Sequence, residues 1–234
     1  TVVDVAMRGR RVPALGALRR DDRFVWRDRH LGLVPVAEHA DAVSAGLDVL
    51  ADAVAAQVDL DAIVQIARGA PAASVDAPPL PAPNPRPTRV GVLGGRAFTF
   101  TYTDTLDALT AGGAEIVTID PLQDTALPER LDGLLLGGGF PETFGAELAA
   151  NEPMRTALHA AVGGGLPAWA ECGGLMLLCR SIDRHDGAGV VGAAATTTDR
   201  LTLGYRQATT RVVTPLGRAG TVLRGHEFHY SVID

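Results

Sequence analysis

Cys172 carries the strongest chemical signal in the chain. It stands in Ala170-Glu171-Cys172-Gly173-Gly174-Leu175-Met176, after the apolar run Leu166-Pro167-Ala168-Trp169-Ala170 and before a stretch with helical character. A buried strand that runs straight into a helix leaves a tight turn between them. A nucleophile placed there is exposed by strained backbone, and the glycines behind it let the chains pass closely. The first N–H groups of the new helix point toward the sulfur, which is expected to favour thiolate over thiol. The N–H of Gly173 is then placed to hold an oxyanion. The competing reading, a buried and inert cysteine, fits Cys179, which is expected on the same helix about two turns on, too far along it to form a disulfide.

Two further segments bear on a reaction at Cys172. Leu136-Gly137-Gly138-Gly139-Phe140-Pro141-Glu142 follows the apolar Leu134-Leu135-Leu136, and its glycines free the backbone to aim an N–H at a ligand. A phosphate cradle would need Lys and Ser/Thr behind the glycines, where Pro141-Glu142 stands instead; a plain turn is the bland alternative. Gly225-His226-Glu227-Phe228-His229-Tyr230-Ser231 offers the base that a cysteine nucleophile needs. Strand alternation puts His226, Phe228 and Tyr230 on one face and Glu227, His229 and Ser231 on the other. One of the two histidines can therefore face the thiol, and alternation alone leaves open which. His30, His39, His159 and His185 lie in polar or helical contexts and read as surface residues.

The elements around these segments alternate. Arg89–Leu93, Glu115–Ile119, Leu131–Leu136 and Leu166–Ala170 read as short strands. Helices are expected over Thr103–Ala111, over Pro141–Val162 with a break near Pro153, and from Gly173 to Cys179. Strands separated by helices of this length pair in parallel with helices on both faces. From Val190 onward, β-branched and polar residues alternate over Thr196–Leu203, Thr209–Val213 and Thr221–Leu223, which predicts an antiparallel extension of the same sheet. The fold class is thus α/β, a mostly parallel sheet with an antiparallel extension.

Between Gly69 and Arg89 the composition shifts to an Ala/Pro tract that can hold neither a helix nor a central strand. Residues 70–88 are therefore expected to be a semi-rigid linker, and a domain boundary is placed there. Ahead of it, Val12–Leu18 and Leu31–Pro35 suggest short elements. Val43, Leu47, Leu50, Val54 and Val58 recur at helical spacing, and Leu60–Ala67 reads as a further helix. This piece, 1–69, is expected to be the tail of a domain whose beginning precedes Thr1.

Composition excludes little but points consistently. The chain has 234 residues, 47% hydrophobic and 21% charged, with a net charge of -6 and a pI near 5.5, so nothing suggests nucleic acid as a partner. The arginines of Arg8–Arg11 and Arg19–Arg29 are interleaved with Asp and read as solvated surface. No apolar stretch is long enough to span a bilayer and no signal-peptide layout is present, so no membrane partner and a reduced, cytoplasmic setting are expected.

The sequence from Arg89 to Asp234 resembles the class I-type glutamine amidotransferase domain of the cobyrinic acid synthase group. Pro167-Ala168-Trp169-Ala170-Glu171-Cys172-Gly173-Gly174-Leu175-Met176 and Gly225-His226-Glu227-Phe228-His229-Tyr230-Ser231 are especially similar to the cobyrinate or hydrogenobyrinate a,c-diamide synthases. Gly137–Glu142 resembles their oxyanion-side loop, and Arg29-His30-Leu31-Gly32-Leu33-Val34-Pro35 the end of their ATP-binding domain. The resemblance implies a flavodoxin-like fold, Cys172 as nucleophile and His229 as its base, with Gly139 and Gly173 as backbone oxyanion donors. Related glutaminases often carry a carboxylate two residues after the histidine, where Ser231 stands here; Glu227, on the face of His229, is the candidate substitute. The implied reaction uses ATP and magnesium to activate the a and c carboxylates of a corrin-ring acid, then ammonia from glutamine to amidate them. No Gly-x-x-x-x-Gly-Lys-Ser/Thr loop is present, so ATP and magnesium are expected in a domain ahead of Thr1 and no cofactor or metal in this chain. The family's continuation past the His motif suggests a further truncation after Asp234. A homodimer stays open. So do a nickel-sirohydrochlorin diamide synthase, cobyric acid synthase or cell-wall amidotransferase setting, and a flavodoxin-like binding module in which Cys172 is structural.

Overall fold

The computed structural model describes residues 5–7, 10, 12–25, 36, 40–74 and 82–234. His30, His39 and the segment Arg29–Pro35 lie outside the described residues. The chain divides into two compact units between Pro78 and Pro79, inside the Ala/Pro tract.

In the first unit, α1 (Ala40–Gln57) and α2 (Leu60–Gly69) are separated by a short break. Asp59 caps α2 by accepting from the Ala62 N–H at 2.9 Å, one of the donors a helix start leaves without an internal partner. Val43 is buried on α1, whereas Leu47 is exposed, so only part of the apolar stripe faces inward. The strand expected over Val12–Leu18 is reduced to a single bridge from Gly16 to Val58. A longer strand needs a strand to pair with, and Val58 is an isolated residue between two helices.

The second unit holds a four-stranded parallel sheet, order β2 (Ala114–Ile119), β1 (Thr88–Leu93), β3 (Gly133–Leu136), β4 (Ala168–Ala170). β1 lies centrally, with β2 on one side and β3 on the other in register Val90↔Ile116 and Val90↔Gly133. Such a reversal of strand order leaves a crevice beyond the carboxyl ends of the strands, where ligands bind in open α/β sheets. Alternation along β3 explains the two covered faces. Leu134 and Leu136 join Met154 and Leu158 in the core, and Leu135 points the other way, toward Leu109 of α3 (Thr103–Ala111).

The expected helical region after β3 is split. A 3-10 turn at Pro141–Phe144 leads into α4 (Gly145–Ala150), and α5 (Glu152–Gly163) follows. Asn151 makes the break: its side chain accepts from the Met154 N–H and donates to the carbonyls of Pro121 and Asp124, each at 2.8 Å. Pro153 falls in the first turn of α5, where a missing N–H costs nothing.

After β4 comes α6 (Gly173–Leu178), then β5 (Cys179–Ile182), β6 (His185–Asp186), β7 (Val191–Thr209) and β8 (Val222–Ile233). These last strands form a sheet of their own, order β6-β5-β7-β8, with β7 and β8 antiparallel. The antiparallel strands anticipated from sequence are present, but they do not extend the parallel sheet. A parallel return beside β4 needs a crossover of about a dozen residues or more, and the chain between Ala170 and Cys179 is shorter than that. Cys179 accordingly opens a strand rather than ending a helix, and it is buried with Ile182 and Ala195 in the common core. Farther out the β7–β8 hairpin leaves that core, so that Tyr205 is 89% exposed.

Candidate active site

The site assembles at the carboxyl edge of the parallel sheet. β4 ends at Ala170, and the Glu171 N–H donates to the Leu136 carbonyl at 3.1 Å, carrying the pairing with β3 one residue further. The chain then turns at Cys172, whose φ of 51° lies in the left-handed region. A non-glycine residue there is uncommon and stores strain, which concentrates at functional positions. Gly174 fixes the turn from behind: its N–H donates to the carbonyls of Gly137 and Glu171, both at 3.0 Å. A Cβ on Gly174 would lie 2.1 Å from the Leu136 oxygen, so only glycine lets α6 pass this close to β3.

The loop after β3 approaches from the opposite side. Gly138 exchanges two backbone hydrogen bonds with Phe100, and the Phe140 N–H donates to the Ala97 carbonyl at 3.1 Å. A Cβ at Gly139 would stand 2.0 Å from that carbonyl oxygen, so the loop can lie against residues 97–100 only with glycine there. The backbone N–H groups of Gly139 and Gly173 are both directed at the Cys172 sulfur. These are the two glycines that the resemblance implies as oxyanion donors.

The expected charge state of the thiol is corrected. Cys172 reaches solvent, yet the protein packed around its sulfur removes enough water to push the thiol pKa up. The two N–H donors pull it down, and the nearby Glu142 and Glu171 carboxylates push it up again. Desolvation and the two carboxylates outweigh the two N–H donors. Alkylation of Cys172 by iodoacetamide in the substrate-free protein should therefore accelerate with pH through a midpoint above that of an ordinary thiol. A midpoint below the ordinary value would show that the helix field dominates after all.

On β8, Glu227 and His229 meet on one face, with His229 Nε2 2.8 Å from Glu227 Oε1. The Ser231 N–H donates to His229 Nδ1 at 3.4 Å. The hydrogen bond to His229, reinforced by Arg206, holds the Glu227 carboxyl below the usual carboxylate range, against a smaller opposing effect of desolvation. His226 lies on the other face between Phe228 and Tyr205, with ring centroids 6.3 and 5.6 Å away. The alternation read from sequence is therefore present. The structure gathers Cys172, Gly139 and Gly173 in one group and Glu227 and His229 in another; among the described residues no hydrogen bond joins His229 to Cys172. His159 is exposed, as expected, whereas His185 is half-buried with its ring against Gly145.

Sequence reasoning missed two features. Arg206 contacts Glu227 from β7, Nε to Oε2 at 2.5 Å. Next to Glu171 and Gly137 lies a largely apolar cavity of about 390 Å³ between the sheet and α3, lined by Phe100, Leu109, Leu135 and Trp169 among others. The strand register and the loop packing that create them involve residues far apart in sequence.

A parallel α/β sheet with a cysteine on a strained strand-to-helix turn, facing two backbone donors, is an arrangement suited to attack of sulfur on a carbonyl carbon. Residues 89–234 match the CobB/CobQ-like glutamine amidotransferase domain, and the chain belongs to that family. The chain is 43% identical to the hydrogenobyrinate a,c-diamide synthase of Streptomyces coelicolor, over 95% of this chain and 53% of that protein. It is 44% identical to the protein of the same name from Thermobifida fusca, over 95% and 49%. It is 40% identical to the cobyrinate a,c-diamide synthase of a Synechococcus species, over 94% and 50%. The chain thus spans about half the length of the curated relatives it matches.

Proposed function

We propose that this chain supplies the glutaminase half of an ATP-driven ligase that amidates the a and c carboxylates of cobyrinic or hydrogenobyrinic acid. The observation that carries the reading is the strained elbow at Cys172 with the Gly139 and Gly173 N–H groups aimed at its sulfur. In the proposed mechanism His229 removes the thiol proton and the sulfur attacks the side-chain amide carbon of glutamine. The tetrahedral oxyanion is held by the Gly139 and Gly173 N–H groups. His229 then returns the proton to the leaving nitrogen, giving ammonia and a thioester, and water attacks the thioester to release glutamate. Glu227 orients the imidazole and supports its positive form.

Residues 1–69 are proposed as the tail of the synthase domain, residues 70–88 as linker and 89–234 as the glutaminase domain. Among the described residues no group of three or more His, Cys, Asp or Glu could hold a metal ion, and the sequence contains no phosphate-binding loop with its lysine. No step here runs through magnesium or ATP; carboxylate activation is assigned to other residues of the full-length protein. Among the described residues no helix is long and apolar enough to cross a membrane, and a cytoplasmic setting is proposed.

The division of labour has a direct test. Full-length Cys172→Ala protein, given ATP, magnesium, the corrin acid and high ammonium, should still form the diamide by mass while losing glutamine-dependent synthesis. The thiol only releases ammonia and takes no part in activating the carboxylate. No diamide from a folded, ATP-binding variant would show that Cys172 does more than release ammonia.

A further inference from the structure

Glu227 does not hold His229 unaided. Its second carboxylate oxygen is taken by Arg206 Nε, so that guanidinium, carboxylate and imidazole form one chain from β7 to β8. The strand register builds this contact. Gly204 lies directly opposite Glu227, and Arg206 is the diagonal neighbour two residues on, within reach of a long side chain. Gly204 keeps the path open: a Cβ there would stand 2.7 Å from Arg206 Nη1, in the space the guanidinium uses. Arg206 Nη1 also donates to the Tyr205 carbonyl at 3.1 Å, which limits how far the head group can swing.

The geometry points to Arg206 as a positioning residue of the glutaminase, one that locks Glu227 in the rotamer that orients His229. The inference rests on the assignment of His229 as base. A glutamate beside a histidine on an otherwise open hairpin has several rotamers, and most of them take its oxygen away from the ring. A planar guanidinium fixing the other oxygen selects one of them. Because Arg206 is exposed and Glu227 only half-buried, the pair contributes little to folding stability; its contribution is the orientation of the base.

The experiment uses the full-length protein and follows glutamate release with Arg206→Ala, Arg206→Lys, Glu227→Gln, the Arg206→Ala/Glu227→Gln double variant and His229→Ala. Arg206→Ala should lower kcat about tenfold to a hundredfold, the scale on which losing a partner that orients a metal-ligating side chain lowers activity. The KM for glutamine and the melting temperature should stay near their wild-type values. Lysine should recover part of the rate, since it keeps the charge without the fork. In the Glu227→Gln background, removing Arg206 should cost nothing further, which a merely structural role would not produce. The proposal is overturned if Arg206→Ala keeps the wild-type kcat while His229→Ala is inactive, or if the two losses multiply in the double variant. It is equally overturned if KM rises at constant kcat, which would make Arg206 a glutamine-binding residue. Full activity in His229→Ala has a different signature: it removes the assignment of the base itself, and the clamp with it.

Discussion

Cys172→Ser should release no measurable glutamate from glutamine, a loss of roughly 10⁴-fold or more of the kind seen when a catalytic nucleophile is removed. The substitution exchanges one atom. The elbow at φ 51°, the hydrogen bonds of Gly174 to Gly137 and Glu171 and the N–H groups of Gly139 and Gly173 all stay as they are. The change is chemical: an alcohol ionises far less readily than a thiol, and around Cys172 the carboxylates of Glu142 and Glu171 already resist a second negative charge. A serine there stays protonated, and the backbone donors have no developing oxyanion to stabilise. Since packing is nearly unchanged, the melting temperature should match the wild type. Glutamate release and thermal melting of the two forms, measured side by side, decide it. Turnover near the wild-type rate in Cys172→Ser would return Cys172 to a structural role and leave the neighbouring cavity as the better candidate for a binding site.

What could be read in advance was local. The elbow is contiguous in sequence, since β4, Cys172 and α6 follow one another without a gap, and the glycine behind the cysteine announces the close pass against Leu136. The shared face of Glu227 and His229 follows from the period of a strand and needs no partner strand. Two features resisted because they depend on residues brought together from far apart, and a third because a short apolar run fits either a helix or a strand. The thiol is pushed up partly by Glu142, which reaches it through the turn at Pro141–Phe144; residues 172–178 alone give no sign of that carboxylate. Arg206 meets Glu227 only because Gly204 is paired with Glu227, and cross-strand register is not written in either strand by itself. Cys179 has the burial of a helix residue and the position of a strand residue, and an apolar run as short as Leu175–Cys179 does not distinguish the two. The separate second sheet follows from that same misplacement: β5 opens at Cys179, too soon after Ala170 for a crossover back beside β4.

The two histidines of β8 should differ sharply in what they contribute. His229→Ala should lower the rate of glutamine hydrolysis by about 10²–10⁴-fold, the range for loss of a general base, and His226→Ala should change it little. The two rings lie on opposite faces of β8. His229 shares its face with Glu227, which accepts a hydrogen bond from Nε2 at 2.8 Å and would stabilise the imidazolium formed when the thiol proton is taken. His226 stands on the opposite face between Phe228 and Tyr205, where its ring serves as part of an aromatic row. The raised thiol makes the base more necessary: with little thiolate present beforehand, the proton must be removed as glutamine is attacked, and removal of His229 should affect kcat more than KM. Initial rates for both variants at a fixed pH over a range of glutamine concentrations give the comparison. If His226→Ala were the slower of the two, the base would sit among the aromatic rings. The Glu227 pairing would then be a structural contact of the hairpin, and the chain of residues running back to Arg206 would have no part in the chemistry.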